Sequence, residues 1–279
     1  MNTNGTCTLF ARPLDSNSAL RLFCLPYAGG NSSVFRNWQT AMPDGVEVCP
    51  IELPGRGARI RESPITRLPL LIESISRDLV SCLDRPFAFF GHSMGALVSF
   101  ELVRYLRSIG GPAPTHLFVS AWRAPELIDE HKDYLLPDAQ FIAMLRDLNG
   151  TPEEILDNPE ALQFLLPILR ADFEVAQTYE YRPQRLLGCA IKAFWGMQDR
   201  STTPEMVRLW SNHTTGPFSL SILLGGHFFI RQSQPQLLKI ISHELDRTLS
   251  LLASRQSEGT FSSPGQDKSY VKPTAISKA

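Results

Sequence analysis

Short apolar runs that alternate with helical patterns are the feature that most constrains the fold of this chain. The runs are ALRLFCLP (19–26), VEVCPIELP (46–54), PFAFFG (86–91), HLFVSA (116–121), CAIKAFWG (189–196) and FSLSILLGG (218–226). Several are apolar at consecutive positions, which is typical of strands covered on both faces. Amphipathic helical patterns lie between them, the clearest at 68–83 and 95–110. The alternation predicts the α/β class, with a mostly parallel sheet and helices on both faces.

One long segment interrupts this alternation. Residues 123–183 contain no convincing strand, only short amphipathic helical pieces separated by prolines. Helices inserted between two strands predict a lid over the edge of the sheet. We therefore expect one domain over residues 1–253, with a lid insertion at about 123–183. Residues 254–279 are polar and rich in Ser, Gly and Pro, a composition that predicts a disordered tail.

Composition and charge argue against several classes of protein. With 27 basic and 28 acidic residues and no basic stripe, the chain is not expected to bind nucleic acid. The five cysteines are irregularly spaced, so neither a disulfide framework nor a metal site is expected. The N-terminus lacks the pattern of a signal peptide, and no apolar run approaches the roughly 20 residues of a membrane span. We expect a cytoplasmic protein, a monomer with no membrane partner.

A serine between two glycines marks the junction of a predicted strand and a predicted helix. Ser93 lies in GHSMG (91–95), a match to G-x-S-x-G. Such a sharp turn exposes the serine hydroxyl near the first backbone N–H groups of the helix, which favour developing negative charge. The alternative is a simple glycine-rich turn. The strand before and the helix after favour a nucleophile.

A nucleophilic serine needs a base and an acid that orients the base. On a sheet of this kind the order along the chain is serine, acid, histidine. The histidines after Ser93 are His116, His131, His213, His227 and His243. Only His227 directly follows a strand and a Gly-Gly pair, so it is the predicted base; the alternative is a histidine packed beside Phe228 and Phe229. The strand before it ends near Asp199, the predicted acid, whose alternative role is to cap the next helix. Asp172 is a rival acid but falls in the lid.

Two backbone N–H groups are needed to stabilise the oxyanion of an acyl-transfer intermediate. Met94, the residue after the nucleophile, is expected to supply one of them. The loop LPYAGGNSS (25–33) follows an early strand, and its glycines allow N–H groups to face the site. Ala28 is the predicted second donor, with a plain glycine turn as the alternative.

At this point the chain resembles the type II thioesterases, discrete α/β-hydrolases that serve polyketide and nonribosomal peptide synthetases. The resemblance covers roughly residues 18–250 and rests on LPYAGGNSSVF (25–35), IELPGRGARIRE (51–62), PFAFFGHSMGALVSFEL (86–102), LPILRADFEVAQTYEY (166–181) and LLGGHFF (223–229). Two positions are less typical: Tyr27 stands where relatives often carry His or Phe, and GMQDR (196–200) has one acid where many have two.

The resemblance implies an α/β-hydrolase fold and a serine thioesterase that needs no cofactor or metal of its own. It implies hydrolysis of acyl thioesters on the phosphopantetheine arm of acyl or peptidyl carrier protein domains, which clears misprimed or stalled acyl groups. The alternatives are a medium-chain acyl-carrier thioesterase of fatty acid synthesis and a carboxylesterase on small esters. A non-catalytic binding module is a further alternative, against which the complete set of triad residues argues.

Two groups of residues remain open to more than one interpretation. The apolar lid residues either roof an acyl chamber or pack the lid onto the sheet; they are Phe141, Met144, Leu145, Phe164, Leu165 and Leu169. The basic cluster Arg56, Arg59 and Arg61 either steers a phosphate or an acidic carrier protein, or forms a solvated loop with structural ion pairs.

Overall fold

The computed structural model describes residues 9–259 of the chain. Its centre is a six-stranded sheet with the order β2-β1-β3-β4-β5-β6, in which every strand pair is parallel. The strands are β1 Leu20–Leu25, β2 Val46–Pro50, β3 Phe87–His92, β4 His116–Ser120, β5 Ala190–Gly196 and β6 Phe218–Leu223. All six predicted strands are therefore present, and the predicted parallel sheet is confirmed.

The consecutive apolar residues are explained by cores on both faces of the sheet. In β1, Phe23 and Leu25 pack into one apolar cluster, whereas Leu22 and Cys24 pack into another. Successive side chains of a strand point to opposite faces, so a strand with helices on both sides needs apolar residues throughout. The predicted covering of both faces is confirmed.

Eight α-helices occur in the described part of the chain. They are α1 Leu68–Leu79, α2 Met94–Ser108, α3 Asp138–Leu148, α4 Glu153–Leu156, α5 Pro159–Gln177, α6 Pro204–Arg208, α7 Phe229–Gln232 and α8 Gln234–Gly259. Helices α1 and α2 belong to the first cluster, and α8 belongs to the second. Helices α3, α4 and α5 lie between β4 and β5, within the predicted lid insertion, and share a small apolar cluster of their own.

The predicted tail begins too early in the chain. Helix α8 extends to Gly259, so residues 254–259 are helical and not disordered as predicted. The physical reason is local: SRQSE (254–258) contains no proline or glycine, and Arg, Gln and Glu favour helix. The rest of the predicted tail, residues 260–279, lies outside the described residues.

Removal of residues 254–279 is expected to leave the fold intact. Among the described side chains of α8, the last ones buried are Leu245 and Thr248, so the deletion removes only positions after the packed part of the helix. A chain that ends at Ala253 should melt within about 4 °C of the full chain. A chain that ends at Glu244 loses both buried side chains and should melt clearly lower. A drop of more than about 4 °C in the melting temperature of the Ala253 chain would mean that the C-terminal residues pack on the domain.

None of the helices in the described residues combines the length and the apolar character that crossing a bilayer demands.

Candidate active site

The strand-to-helix turn after β3 holds Ser93 in a conformation that non-glycine residues rarely adopt. Its φ is 54° and its ψ is −125°. Its N–H donates to the carbonyl of Ser120 at 2.7 Å, which fixes the turn to β4. A Cβ at Gly91 would lie 2.1 Å from the Gly95 carbonyl oxygen, and one at Gly95 would lie 2.3 Å from that of Leu25. Both glycines are therefore required by the close approach of strand and helix.

His227 meets Ser93 from the loop after β6. Gly225, two residues earlier, has φ +110°, a value that a glycine adopts without strain. The Nε2 atom of His227 lies 2.9 Å from Ser93 Oγ. The structure thus brings the predicted base into hydrogen-bond contact with the predicted nucleophile.

Asp199 completes this arrangement from the loop after β5. The loop is tied to the His227 loop by a backbone hydrogen bond from the Gln198 N–H to the Gly225 carbonyl, 2.9 Å. Asp199 Oδ2 lies 3.1 Å from His227 Nδ1, and the Asp199 side chain is inaccessible to solvent. An ionised carboxylate only accepts hydrogen bonds, so Nδ1 carries the proton and Nε2 is free to accept from Ser93.

Hydroxyl groups that the sequence analysis did not identify surround this carboxylate. Ser201 donates to Asp199 Oδ1 from Oγ at 2.7 Å and from its N–H at 2.8 Å, and Thr202 Oγ1 donates to Oδ2 at 3.1 Å. Burial alone would raise the pKa of Asp199, but the hydrogen bonds from His227 and Ser201 leave the pKa below its ordinary value. The carboxylate is therefore charged at neutral pH. The only sequence signal was the run of hydroxyl residues at 201–203, which begins two positions after the acid.

A second histidine, His92, forms a hydrogen bond to the backbone of His227. His92 is fully buried, its Nδ1 lies 2.8 Å from Ser120 Oγ, and its Nε2 lies 3.0 Å from the His227 carbonyl oxygen. Because a carbonyl only accepts, Nε2 carries the proton and Nδ1 accepts from the Ser120 hydroxyl. Burial, and next the nearby His227, hold the pKa of His92 well below its ordinary range. The sequence shows His92 in GHSMG, directly before Ser93, but does not indicate this contact.

The predicted oxyanion donors line the same cavity as Ser93. Ala28 lies in the loop after β1, and Met94 is the first residue of α2. Among the described residues, neither backbone N–H donates to another protein group. Both N–H groups are thus available to a ligand in the cavity.

The candidate histidine His131 lines the same cavity, where its Nδ1 lies 2.9 Å from Asp129 Oδ1 and not beside Ser93. The other candidate residues lie elsewhere. His116 stacks on Phe118 at the start of β4, and His213 is buried against Glu126. His243 lies on α8. The rival acid Asp172 lies on α5, where its carboxylate is paired with Arg56 and not with a histidine.

The cavity at Ser93 has a volume of about 500 Å³ and is lined in part by residues of the inserted helices α3 and α5. Of the lid residues singled out from the sequence, Met144, Leu145 and Leu169 line it, and all three also pack in the small lid cluster. Phe141 is buried within the small lid cluster, against which Leu165 packs. Phe164 does neither, because 72% of it is exposed.

The basic cluster separates into two buried arginines and one exposed arginine. Arg56 pairs with Asp172, and Arg59 pairs with Glu62, whose pKa is lowered by that hydrogen bond. Arg61 is exposed. The structural interpretation therefore holds for Arg56 and Arg59, and only Arg61 presents its charge to solvent.

Over the part of the chain that the structure describes, no three His, Cys, Asp or Glu side chains are grouped as a metal site would require. Cysteines in that part form no disulfide.

The chain is similar in sequence to a known protein family and to proteins of antibiotic biosynthesis. Residues 20–245 match the thioesterase domain family, which is most of the chain. Two similar proteins are the linear gramicidin dehydrogenase LgrE of Brevibacillus parabrevis and the gramicidin S biosynthesis protein GrsT of Aneurinibacillus migulanus. They are 44% and 43% identical, over 86% and 83% of this chain and 93% and 91% of their own lengths.

A solved structure extends the likeness to three dimensions. The type II thioesterase BorB from the borrelidin biosynthetic cluster superimposes with a TM-score of 0.76 at 36% identity. The match covers 85% of this chain and 96% of BorB.

Proposed function

This chain belongs to the thioesterase domain family, and on that premise we propose that it hydrolyses acyl thioesters on the phosphopantetheine arms of carrier protein domains, clearing misprimed or stalled acyl groups. The observation that carries the proposal is the contact chain from Ser93 Oγ through His227 to Asp199, with distances of 2.9 and 3.1 Å. Ser93 and His227 line a cavity in a chain similar to a gramicidin S biosynthesis protein and to a type II thioesterase from the borrelidin biosynthetic cluster.

In the first half of the proposed reaction, Ser93 Oγ attacks the thioester carbonyl while His227 Nε2 takes the hydroxyl proton. Asp199 accepts from Nδ1–H, keeps the imidazole in the required tautomer and stabilises the imidazolium. The C–O bond forms as the carbonyl oxygen takes the negative charge, which the N–H groups of Ala28 and Met94 stabilise. The tetrahedral intermediate then collapses, the C–S bond breaks, and the thiolate takes the proton from His227.

In the second half, water replaces the departed thiol. His227 Nε2 takes one proton from the water, whose oxygen attacks the acyl-enzyme carbonyl. The second tetrahedral intermediate uses the same two N–H donors. Its collapse releases the carboxylic acid and returns the proton to Ser93 Oγ. The phosphopantetheine belongs to the substrate, and the proposed chemistry uses no cofactor held by this chain.

The proposed partner is the carrier protein domain, and its contribution is measurable. An acyl group on a carrier protein has the same thioester reactivity as the same group on a small thiol, so a rate difference reports contacts remote from the reacting carbon. We expect kcat/KM for acetyl or propionyl on a holo carrier protein to exceed that on pantetheine by roughly 10- to 100-fold, or about 1.4 to 2.7 kcal/mol. Steady-state kinetics on the two substrates measure this ratio.

The same assay tests the alternatives. Equal values for carrier and pantetheine, with faster cleavage of simple oxygen esters, would indicate a carboxylesterase. Strong preference for medium over short acyl chains on the carrier would indicate a medium-chain thioesterase of fatty acid synthesis. The matched control is the unacylated holo carrier protein as a competitor, which should inhibit the carrier reaction if the protein surface is bound.

A further inference from the structure

A buried ion pair joins the lid to the loop after β2, and both of its members also bond to the loop that carries Ala28. Asp172 lies on α5, and its carboxylate accepts from Arg56 at both oxygens, 2.5 Å from Nη1 and 2.8 Å from Nη2. The Asp172 side chain is 3% exposed and that of Arg56 is 5% exposed. Asp172 Oδ2 also accepts the backbone N–H of Gly29 at 2.7 Å. The Asp172 carboxylate thus binds both Arg56 and the backbone of Gly29, the residue that follows Ala28.

Three hydrogen bonds fix the turn at residues 27–30, two from the ion pair and one within the turn. The Gly30 N–H donates to the Tyr27 carbonyl at 2.9 Å, and Arg56 Nη1 donates to the Gly30 carbonyl at 3.3 Å. The Tyr27 carbonyl and the Ala28 N–H belong to the same planar peptide group, so a bond to one end sets the direction of the other. The orientation of the Ala28 N–H is therefore determined by a turn that Asp172 and Arg56 hold.

Packing of α5 against the same turn agrees with this arrangement. Gly29 has φ +75°, and a Cβ there would lie 2.5 Å from Leu169 Cδ2, one helical turn before Asp172. The turn and α5 thus meet without space for a side chain. Leu169 lines the cavity at Ser93, so the same helix lines the cavity and contacts the turn.

We propose that Asp172 is a positioning residue for the oxyanion hole, and that the hole is correctly formed only when α5 is seated on the turn. The inference rests on the proposed acyl-transfer function. Asp172 touches no reacting atom; it acts through Gly29 on the adjacent Ala28 N–H. Arg56 has a second task, since an unpaired carboxylate beside the hole would repel the developing oxyanion, and the guanidinium neutralises that charge.

The test compares Asp172→Ala, which removes the acceptor for the Gly29 N–H, with Asp172→Asn, which retains an acceptor oxygen. With an acyl-pantetheine substrate, we expect Asp172→Ala to lower kcat by about 10- to 100-fold with little change in KM, because loss of one oxyanion donor costs about 100- to 1,000-fold and a displaced donor costs less. Asp172→Asn should recover most of this loss. The pH profile should stay unchanged, because the His227–Asp199 contact is untouched.

A transition-state analogue separates positioning from general damage. An alkyl trifluoromethyl ketone forms a tetrahedral adduct with the serine and places an oxyanion in the hole. Its affinity should fall by the same factor as kcat in Asp172→Ala. The control variant Glu101→Gln removes a comparable ion pair, with Arg104, on the part of α2 away from the cavity, and should alter neither kcat nor inhibitor affinity. Normal kcat for folded Asp172→Ala, or a lower kcat with unchanged inhibitor affinity, would overturn the inference.

A second variant covers the case in which Asp172→Ala does not fold. The double substitution Arg56→Met with Asp172→Leu replaces the ion pair by apolar side chains, an exchange that is often neutral or stabilising. It also removes the acceptor for Gly29, so the same losses in kcat and inhibitor affinity are expected. If the wild-type chain cleaves p-nitrophenyl acetate but no thioester, the proposed substrate is wrong, and the variants still test the hole on that ester.

Discussion

Ser93→Ala is expected to abolish thioester hydrolysis while the protein stays folded. The substitution removes the proposed nucleophilic atom, and loss of a member of a catalytic triad lowers kcat on the order of 10⁴-fold or more. The fold should persist because alanine fits wherever serine fits, and the positive φ of 54° strains both residues alike. Intact-mass measurement after mixing with an acyl-pantetheine should show a transient acyl adduct on the wild-type chain and none on Ser93→Ala.

Ser99→Ala provides a matched control in the same helix. Ser99 is fully buried on α2, and its hydroxyl donates to the Gly95 carbonyl at 2.7 Å without contacting His227. This variant should keep near-normal turnover. Near-normal hydrolysis by purified Ser93→Ala, in contrast, would remove the basis of the proposed mechanism.

The fold could be predicted because strands of a sheet covered on both faces appear in the sequence as runs of consecutive apolar residues. The run at 86–91 is apolar throughout, and the structure buries every residue of β3. The boundary at 254 was wrong because polarity does not distinguish a solvated helix end from a tail. Helix α8 continues through polar residues whose intrinsic preference is helical.

The grouping of Ser93, Asp199 and His227 could be anticipated for a topological reason. Each follows the carboxyl end of a strand, and in a parallel sheet those ends share one edge. Sequence order and strand ends therefore sufficed to select these three from the many carboxylates and histidines of the chain. Their roles in catalysis stay predictions until the variants are measured.

Contacts between side chains distant in sequence could not be anticipated. Arg56 and Asp172 are separated by 116 positions, and each alone is an ordinary charged residue in a loop or a helix. From the sequence, Arg56 could be interpreted either as a phosphate ligand or as part of a structural ion pair. The choice depends on which charged side chain the fold brings next to it, and the sequence does not show this. His92 and Ser120 illustrate the same limit, since their contact depends on the side-chain geometry of two neighbouring strands.

Asp199→Asn is expected to lower kcat on the order of 10³- to 10⁴-fold with little effect on folding. The introduced amide can present N–H to His227 Nδ1, which would then accept; the proton would move to Nε2 and face Ser93 Oγ, so the imidazole could not take the serine proton. Ser201 should limit the loss of kcat, because its Oγ lies 3.0 Å from His227 Nδ1 and can still accept the Nδ1 proton in a hydrogen bond. Adding Ser201→Ala to Asp199→Asn should therefore deepen the loss.

Comparison of Asp199→Asn with Asp172→Asn decides which carboxylate orients the base. Asp172 contacts Arg56 and Gly29, so its conversion to the amide should leave the His227 Nδ1 proton in place and cost less than about 10-fold in kcat. Proton NMR provides the readout, since a downfield resonance from Nδ1–H bonded to a carboxylate should disappear in Asp199→Asn and persist in Asp172→Asn. The reverse pattern, with most activity retained by Asp199→Asn and lost by Asp172→Asn, would assign the acid to the lid. It would also contradict the proposed role of Asp172 at the loop that carries Ala28, because a single buried carboxylate cannot contact Gly29 and His227 together.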